Sequence, residues 1–264
     1  MKIINKLINS RFFEYLNNFL KRRIIRIFKI YFVVSSKQNL PENNYPVIFS
    51  KKYQEFIIKN FNSKKYSSKN SCNYLRQVVD SESKRNFILN FLDFGAGDIN
   101  TFLELKNISN LKYLYHDLKD RNKIIKFIKD KYSFENLEVV DDIINYNKNI
   151  DFAFFGSSIG YTKSYEEILN NLINLNCKCF LFTGIIFFKK DNYNQKQIVL
   201  KQTNLMPNIN YVYMFNYDIF KKQFEKNNYQ IIFKKNNQYN KINFKNLNFF
   251  SESIEYVDIF FKKI

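Results

Sequence analysis

The chain has 264 residues, 45% of them hydrophobic, which excludes a disordered chain and allows one domain of ordinary size with a full core. A formal net charge of +18 is compatible with a nucleic-acid partner, an anionic membrane, or a drift towards lysine without any such partner. The lysines are spread along the whole chain, and no RNA-binding motif is found. Composition therefore favours drift and argues against nucleic acid.

Cysteine and histidine content argue against disulfides and metals. The three cysteines, Cys72, Cys177 and Cys179, make no disulfide framework, and a single histidine leaves no zinc-ligand set, so we expect no metal site. Cys177 and Cys179 are two positions apart in a strand pattern, which predicts buried thiols on the same face. Free thiols, an interrupted apolar N-terminus and the lack of about 20 consecutive apolar residues together predict a cytoplasmic location.

Residues 1–34 are predicted to be helical and basic. Apolar residues recur at helical spacing, and Lys21, Arg22 and Arg23 lie among them. Two interpretations stay open: an amphipathic helix in peripheral contact with an anionic membrane, or a helix packed on the main domain with a solvated basic face. Residues 35–46 are polar, carry two of the three prolines, and are predicted to be a linker.

The rest of the chain is predicted to form one α/β domain, residues 47–264, behind an N-terminal unit of residues 1–46. Residues 47–85 are expected to be a helical lead-in. Apolar runs that predict strands then alternate with helical patterns. The predicted strands are residues 87–94, 111–115, 137–140, 151–155, 177–183, 229–233 and 256–261. The predicted helices are residues 99–106, 120–131, 164–175 and 217–226.

Two details of this alternation bear on the topology. Ser164, with Glu167 three residues on, fits a capping box at the start of a helix. Residues 187–216, rich in Asn, Lys and Tyr, are predicted to be a long irregular connection. The last two strands are joined without room for a long helix, so we expect them to be antiparallel. The pattern predicts a mostly parallel seven-stranded sheet with an antiparallel last strand and helices on both faces.

A glycine loop, DFGAG at residues 93–97, ends the first predicted strand of the domain. Strand, glycine turn and helix is the order that holds a nucleotide-like ligand at the carboxyl edge of a parallel sheet. All five glycines of the chain lie at or just after the ends of apolar runs. Asp98 stands where a dinucleotide loop would continue towards a third glycine, and its carboxylate would repel a pyrophosphate. The loop therefore disfavours NAD.

Further segments carry a resemblance to a known family. They are LDFGAG at 92–97, YHD at 115–117, FFGSSIGY at 154–161, IVLKQT at 198–203, and YDIFKKQFEKNNYQII at 217–232. From about residue 87 to its end, the chain resembles the class I S-adenosylmethionine-dependent methyltransferases, and more narrowly those found among surface-polysaccharide genes. The resemblance implies a Rossmann-like methyltransferase fold, S-adenosyl-L-methionine as cofactor, and a small-molecule or glycan-linked acceptor.

The ends of the first two predicted strands would bind this cofactor. Asp93 would face its cationic methionine end, where a carboxylate complements the sulfonium and amino charges. Gly95 and Gly97 would let the backbone come close to the ligand, because a Cβ would intrude. Asp117, 20 positions after Gly97, would accept hydrogen bonds from ribose hydroxyls. The structural alternatives are a turn aspartate for Asp93, an ordinary tight turn for Gly95 and Gly97, and a helix cap for Asp117.

The resemblance also implies roles for the ends of later strands. Asp141 and Asp142 follow the third strand, where this fold binds the adenine amino group. Gly156 ends the fourth strand, beside the transferring methyl group. The structural alternatives are surface carboxylates for Asp141 and Asp142, and an ordinary strand end for Gly156.

The sequence names no convincing general base. His116 is a candidate because its unperturbed pKa lies near neutrality, although a cofactor contact or a structural role also fits its position. Tyr161 is a candidate for orienting an acceptor hydroxyl. Gln202 matches the loop glutamine of the family that the chain resembles, and is a candidate for substrate contact.

The resemblance thus implies a methyltransferase for a small or glycan-linked acceptor, in surface polysaccharide biosynthesis. The missing base and the basic N-terminus motivate an alternative: a catalytically degenerate protein of the same fold that serves as a membrane-surface or assembly subunit. The charge of +18 motivates a third hypothesis, an RNA methyltransferase.

Overall fold

The computed structural model describes residues 6–8, 10–42, 55, 74–85, 88–189, 194–204, 209–237, 244–247 and 253–264. The helices are α1 (Arg11–Tyr15), α2 (Asn18–Phe28), α3 (Leu75–Ser83), α4 (Asn100–Leu105), α5 (Lys119–Tyr132), α6 (Tyr165–Asn174) and α7 (Tyr217–Glu225), with 3-10 helices at Ile159–Tyr161 and Lys245–Leu247. The strands are β1 (Phe32–Val34), β2 (Leu89–Phe94), β3 (Leu111–His116), β4 (Leu137–Val139), β5 (Phe152–Gly156), β6 (Cys179–Lys189), β7 (Gln197–Gln202), β8 (Asn210–Asn216), β9 (Tyr229–Asn236) and β10 (Ser253–Lys263).

Seven of the described strands form a central sheet in the order β4-β3-β2-β5-β6-β10-β9. Strands β4, β3, β2, β5 and β6 are parallel, whereas β10 is antiparallel to both of its neighbours, β6 and β9. The predicted mostly parallel sheet with an antiparallel last strand is therefore confirmed. The chain builds outward from β2 to β4 and then returns to the other side of β2 with β5. Ligands of open α/β sheets bind at such a switch point, outside the carboxyl ends of the strands.

Helices cover both faces of the sheet, because neighbouring apolar side chains of each strand point to opposite layers. In β2, Leu92 and Phe94 belong to the core under α6 and α7, whereas Phe91 belongs to the core under α3, α4 and α5. Aromatic rings fill much of this interior, as where Phe182 of β6 meets Phe220 of α7 with ring centroids 5.3 Å apart. Each such ring contributes roughly 1.5–3 kcal/mol through burial.

A strand extension lies beyond the carboxyl end of β5. Strand β6 continues past Gly184 to Lys189, and its far end pairs in parallel with β8. Strand β7 pairs with β8, and β1 pairs with β7, both antiparallel. The prediction of an irregular connection over residues 187–216 is therefore wrong for residues 197–202 and 210–216. These strands are buried on both faces, so their polar and aromatic sequence lacks the simple alternation that marks a half-buried strand.

The N-terminal residues contain two helices and a strand. Ser10 caps α1 by accepting a hydrogen bond from the Phe13 backbone N–H, and Asn17 caps α2 in the same way for Phe19. Lys29, whose backbone is left-handed, follows the end of α2, and β1 then joins the sheet. The predicted boundary between residues 46 and 47 lies outside the described residues, as does most of the predicted lead-in before α3. No described helix is long and apolar enough to cross a bilayer.

Two local predictions are wrong. Cys177 packs in the core under α6 and α7, whereas Cys179 packs in the opposite core, because β6 begins only at Cys179. The alternation of a strand therefore does not extend back to Cys177. Ser164 does precede α6, but its side chain makes no capping hydrogen bond, since its ψ of 28° is not the extended backbone that a capping serine needs.

Candidate functional site

The glycine loop is closed by the end of β5. Gly95 has a φ of +66°, and the backbone N–H groups of Gly95 and Ala96 both donate to the His116 carbonyl, at 2.8 and 3.2 Å. The Ser158 hydroxyl donates to the Phe94 carbonyl at 2.5 Å. A Cβ on Gly95 would overlap Ser158 Cβ. Glycine is needed here both for its positive φ and for the close approach of Ser158, which is protein rather than ligand.

Asp117 binds the same loop from the end of β3. Its Oδ2 accepts from the Gly97 backbone N–H at 2.6 Å and from Arg121 Nη1 at 3.1 Å, and its Oδ1 accepts from the Leu118 N–H at 2.7 Å. A carboxylate has about four lone-pair positions, so these contacts leave about one. The structure therefore brings Asp117 and the glycine loop together, with Asp117 holding the loop in place.

Arg121 is a residue of this site that sequence reasoning missed. It lies in the first turn of α5, is buried, and forms a buried ion pair with Asp117. A Cβ on Gly97, whose φ is +72°, would lie 3.3 Å from Arg121 Nη1. The signal was present, because Asp117 and Arg121 are four positions apart at the start of a helix, the spacing at which opposite charges meet.

Asp93 lies at the end of β2 with its carboxylate fully buried. Burial raises its pKa from 3.8 to about 7, and the negative charges of Asp117 and Asp98 raise this pKa further against the hydrogen bond that Tyr113 donates. Tyr113 is a second residue that the sequence reasoning missed. Asp98 lies just before α4 and accepts from the Asn100 N–H at 3.0 Å, and burial raises its pKa too.

The imidazole of His116 lies against the strand ends. Its Nδ1 donates to the Val140 carbonyl at 2.8 Å, and the ring stacks on Phe94 with centroids 5.0 Å apart. Burial lowers the pKa of His116, so the ring is neutral at pH 7. The bond to Val140 places the proton on Nδ1 and leaves Nε2 as the basic nitrogen.

Asp141 and Asp142 lie after β4 and are both exposed. Asp141 forms an ion pair with Lys126 and accepts from the Asn122 side chain at 3.1 Å. Asp142 accepts from the Asn145 side chain at 2.7 Å and closes its own turn. These hydrogen bonds, from Lys126 and Asn145 respectively, lower the pKa of each aspartate. The contacts match the surface-carboxylate alternative, and exposure keeps both groups accessible to a ligand.

The end of β5 meets the middle of β6 at residues with strained backbone. Gly156 ends β5 in an exposed position, and Ser157 after it has a φ of +64°, which costs a non-glycine residue on the order of 1 kcal/mol. The Ser157 hydroxyl donates to the Thr183 carbonyl at 3.1 Å. Gly184 also has a positive φ, and a Cβ there would overlap the Ser157 hydroxyl and lie 2.6 Å from the Tyr256 oxygen. Such strain clusters at functional sites.

Tyr161 and Gln202 are brought together by the strand extension. The Tyr161 hydroxyl donates to Gln202 Oε1 at 3.0 Å, across 41 positions of sequence. Burial raises the pKa of Tyr161, and the neighbouring Tyr256 raises it further, so the phenol keeps its proton. This pair lies beyond the end of β5, on the side of the sheet away from Asp117.

Asp258 is a further buried carboxylate that the sequence did not indicate. It lies at a bulge of β10 opposite Gly184, whose N–H donates to Asp258 Oδ1 at 2.8 Å. The Tyr74 hydroxyl donates to Oδ2 at 2.8 Å, and the Asn237 side chain donates to Oδ1 at 2.5 Å. These bonds hold the bend in β6 at which the extension begins. In the described parts of the chain, no group of three or more His, Cys, Asp or Glu residues is arranged to hold a metal ion.

No protein-family model and no curated protein matches this chain. Solved structures do. It is similar to the 1,6-didemethyltoxoflavin-N1-methyltransferase of Burkholderia thailandensis, solved with 1,6-didemethyltoxoflavin and S-adenosylhomocysteine, at 10% identity over 88% of this chain and 97% of that one, with a TM-score of 0.50. It is also similar to the N-terminal domain of EvdMO1, solved with S-adenosylhomocysteine and D-fucose, at 7% identity over 83% and 100%, with a TM-score of 0.53.

A third similar structure is the [4+2]-cyclase SpnF, at 7% identity over 86% of this chain and 99% of that one, with a TM-score of 0.51. At these identities the likeness establishes the fold. The chain has the Rossmann-like fold of the class I methyltransferases, as predicted. Because one of these neighbours is named a cyclase, the fold alone does not decide the reaction.

Proposed function

We propose that this protein is an S-adenosylmethionine-dependent methyltransferase. The observation that carries the proposal is a local reversal of charge. In a chain of net charge +18, the carboxyl ends of β2, β3 and β4 form an acidic edge. Its members are Asp93, Asp98, Asp117, Asp141 and Asp142, facing the cations Arg121 and Lys126. Such an edge attracts a cationic nucleoside and repels a pyrophosphate.

The donor set fits the parts of the proposed cofactor. Asp93 and Asp98, whose pKa values are raised, would be stabilised as carboxylates by sulfonium and ammonium charges. Asp117 has about one lone-pair position left for a ribose hydroxyl, and a second hydroxyl would take the place of Arg121. Asp141 and Asp142 would accept from the adenine amino group. When bound, the cofactor supplies a methyl group on a sulfonium, already activated for in-line displacement.

The acceptor would lie beyond β5 and β6, where the chain supplies neutral polar groups. Tyr161 keeps its proton and is directed by Gln202, so it would orient an acceptor oxygen or nitrogen rather than deprotonate it. His116 Nε2 is the candidate base. The acceptor class that we propose is a small molecule or a glycan-linked group in surface polysaccharide biosynthesis, with the enzyme in the cytoplasm.

Calorimetry with S-adenosylhomocysteine tests the cofactor. We expect the wild type to bind it and Asp117→Asn to bind at least about tenfold more weakly, because the loop and the ribose lose one charged acceptor. Asp120→Asn is the matched control, since Asp120 is exposed in the first turn of the helix that follows Asp117 and forms an ion pair with Lys123. No binding by folded wild type, or equal losses in both variants, would contradict the proposal. ATP, which carries phosphates, is expected not to compete.

The buried Arg121–Asp117 pair favours one second candidate, a catalytically degenerate protein that serves as an assembly subunit. In that case Arg121 fills the cofactor site permanently. Wild type would then not bind S-adenosylhomocysteine, whereas Arg121→Ala, which opens the space beside Gly97, would. Binding by the wild type contradicts this candidate.

A further inference from the structure

The N-terminal helices carry an unusual concentration of exposed apolar side chains. Of the fourteen large hydrophobic side chains that are exposed in the described parts of the chain, seven lie within residues 7–28. We call this group the N-terminal apolar surface, and its members are Leu7, Phe12, Tyr15, Phe19, Leu20, Ile27 and Phe28. A concentration of this kind on one short segment marks an interaction surface rather than scattered exposure.

The helices do not need these residues for packing on the domain. Phe13 of α1 and Ile25 of α2 point inward and are buried with Ile8, Ile30 and Val33. Strand β1 then fixes the segment to β7. The outward side chains are left over from this packing: Phe12, Phe19 and Ile27 are 64%, 66% and 67% exposed.

Basic residues surround the same surface. Lys6, Arg11, Arg22, Arg23, Arg26 and Lys29 are all exposed. Glu14 is the single acidic residue between positions 6 and 41 of the sequence. The Arg23 guanidinium lies over the Phe19 ring, 5.8 Å from its centroid. Long basic side chains can extend to water or phosphate while their stems and the aromatic rings enter an apolar layer.

We propose that α1 and α2 dock this protein on the surface of an anionic lipid bilayer. Aromatic and aliphatic side chains on short helices, mixed with arginine and lysine, match the boundary between acyl chains and anionic headgroups. A nucleic acid would be bound by the cations but would leave the aliphatic side chains in water. A second copy of the chain would bring like charges together. An anionic bilayer can bind both the apolar side chains and the basic side chains of this surface.

Vesicle co-sedimentation tests the docking with the full chain. The wild type is expected to bind vesicles of mixed phosphatidylglycerol and phosphatidylcholine, and not vesicles of phosphatidylcholine alone. The triple variant Arg11→Glu, Arg23→Glu and Arg26→Glu is expected to bind at least about 100-fold more weakly, because each basic residue near an anionic surface contributes about a fivefold factor. The triple variant Lys123→Glu, Lys131→Glu and Lys148→Glu is the matched control, with the same change of net charge at exposed positions elsewhere.

A second variant tests the apolar half. Phe19→Ser with Ile27→Ser removes two exposed side chains, so circular dichroism is expected to be unchanged while vesicle binding falls at least about tenfold. Failure of the wild type to bind at low salt overturns the proposal, as does equal loss in the two charge variants. Dimers that dissociate on Phe19→Ser with Ile27→Ser, or binding to RNA but not vesicles, overturn it too. The affinity for S-adenosylhomocysteine is expected to stay unchanged throughout, which separates docking from the proposed catalysis.

Discussion

The two sides of the carboxyl edge are assembled in different ways. On the β2–β4 side, the contacts join Gly97 to Asp117 and Tyr113 to Asp93, each across 20 positions of sequence. On the β5–β8 side, Tyr161 meets Gln202 across 41 positions, and Tyr74 meets Asp258 across 184. The first side is one strand–helix–strand unit, whereas the second needs segments from the whole chain. The proposed cofactor side is therefore specified by residues close together in sequence, whereas the proposed acceptor side depends on residues far apart.

Their electrostatics differ as well. The β2–β4 side holds carboxyl groups whose pKa values are raised by burial, as in Asp93 and Asp98. The β5–β8 side holds neutral phenol and amide groups, with Tyr161 kept protonated by burial. A cation and a neutral acceptor are the pair of ligands that these two environments fit.

The broadest expected effect, on stability and on ligand binding together, is that of Gly95→Val on the β2–β4 side. Valine cannot take a φ of +66° without strain and would overlap Ser158, so we expect the free energy of unfolding to fall by about 3 kcal/mol or more. Binding of S-adenosylhomocysteine should be lost with the loop. Urea denaturation and calorimetry measure the two effects. Gly156→Ala is the control for stability, because its Cβ would make an ordinary 3.4 Å contact with the Phe154 ring. Equal losses of stability in Gly95→Val and Gly156→Ala would contradict the requirement for glycine at position 95.

Asp93→Asn is expected to change how stability depends on pH. Between pH 3.8 and about 7 the unfolded chain loses the Asp93 proton while the folded chain keeps it, so wild-type stability falls as pH rises through this window. The fall is on the order of 4 kcal/mol, and the asparagine variant lacks it.

Urea denaturation at a series of pH values measures the difference between the two proteins. The advantage of the variant over wild type should grow from acid to neutral pH and then level off. Asp120→Asn is the control, because Asp120 is exposed. If the free energy of unfolding depends on pH in the same way for wild type and Asp93→Asn, the pKa of Asp93 is not raised in the folded chain.

The smallest expected effect lies on the β5–β8 side. Tyr161→Phe and Gln202→Leu each leave one buried polar atom of the other residue without its partner, at a cost of about 1–3 kcal/mol. The double variant should cost less than the sum, with a coupling of about 1 kcal/mol in a double-mutant cycle. Affinity for S-adenosylhomocysteine should change less than about twofold in all three. A parallel loss of that affinity would mean that the two sides are not separate.

Much of this architecture was predictable, because apolar runs and helical periods are local signals. The predicted strands of the parallel sheet recur as β2 to β6, and the strand pattern predicts that the glycine loop and Asp117 lie at the same edge of this sheet. The strands β7 and β8 were not predicted, because a strand buried on both faces shows no alternation and polar residues disguise it. The sequence pattern assigns Asp117 and Asp93 to a cofactor, so it does not predict their protein partners Arg121 and Tyr113.

By itself, then, the sequence determined the layered α/β fold and the acidic, glycine-containing edge. These depend on periodicity and on residues about 20 positions apart, which a single strand–helix–strand unit brings together. The tertiary structure decided which groups Gly95 and Gln202 actually contact, and where the exposed faces of α1 and α2 lie. Those outcomes depend on long-range packing: the end of β5 over the glycine loop, and β1 beside β7. No local pattern specifies such contacts, because their partners lie tens to hundreds of positions away.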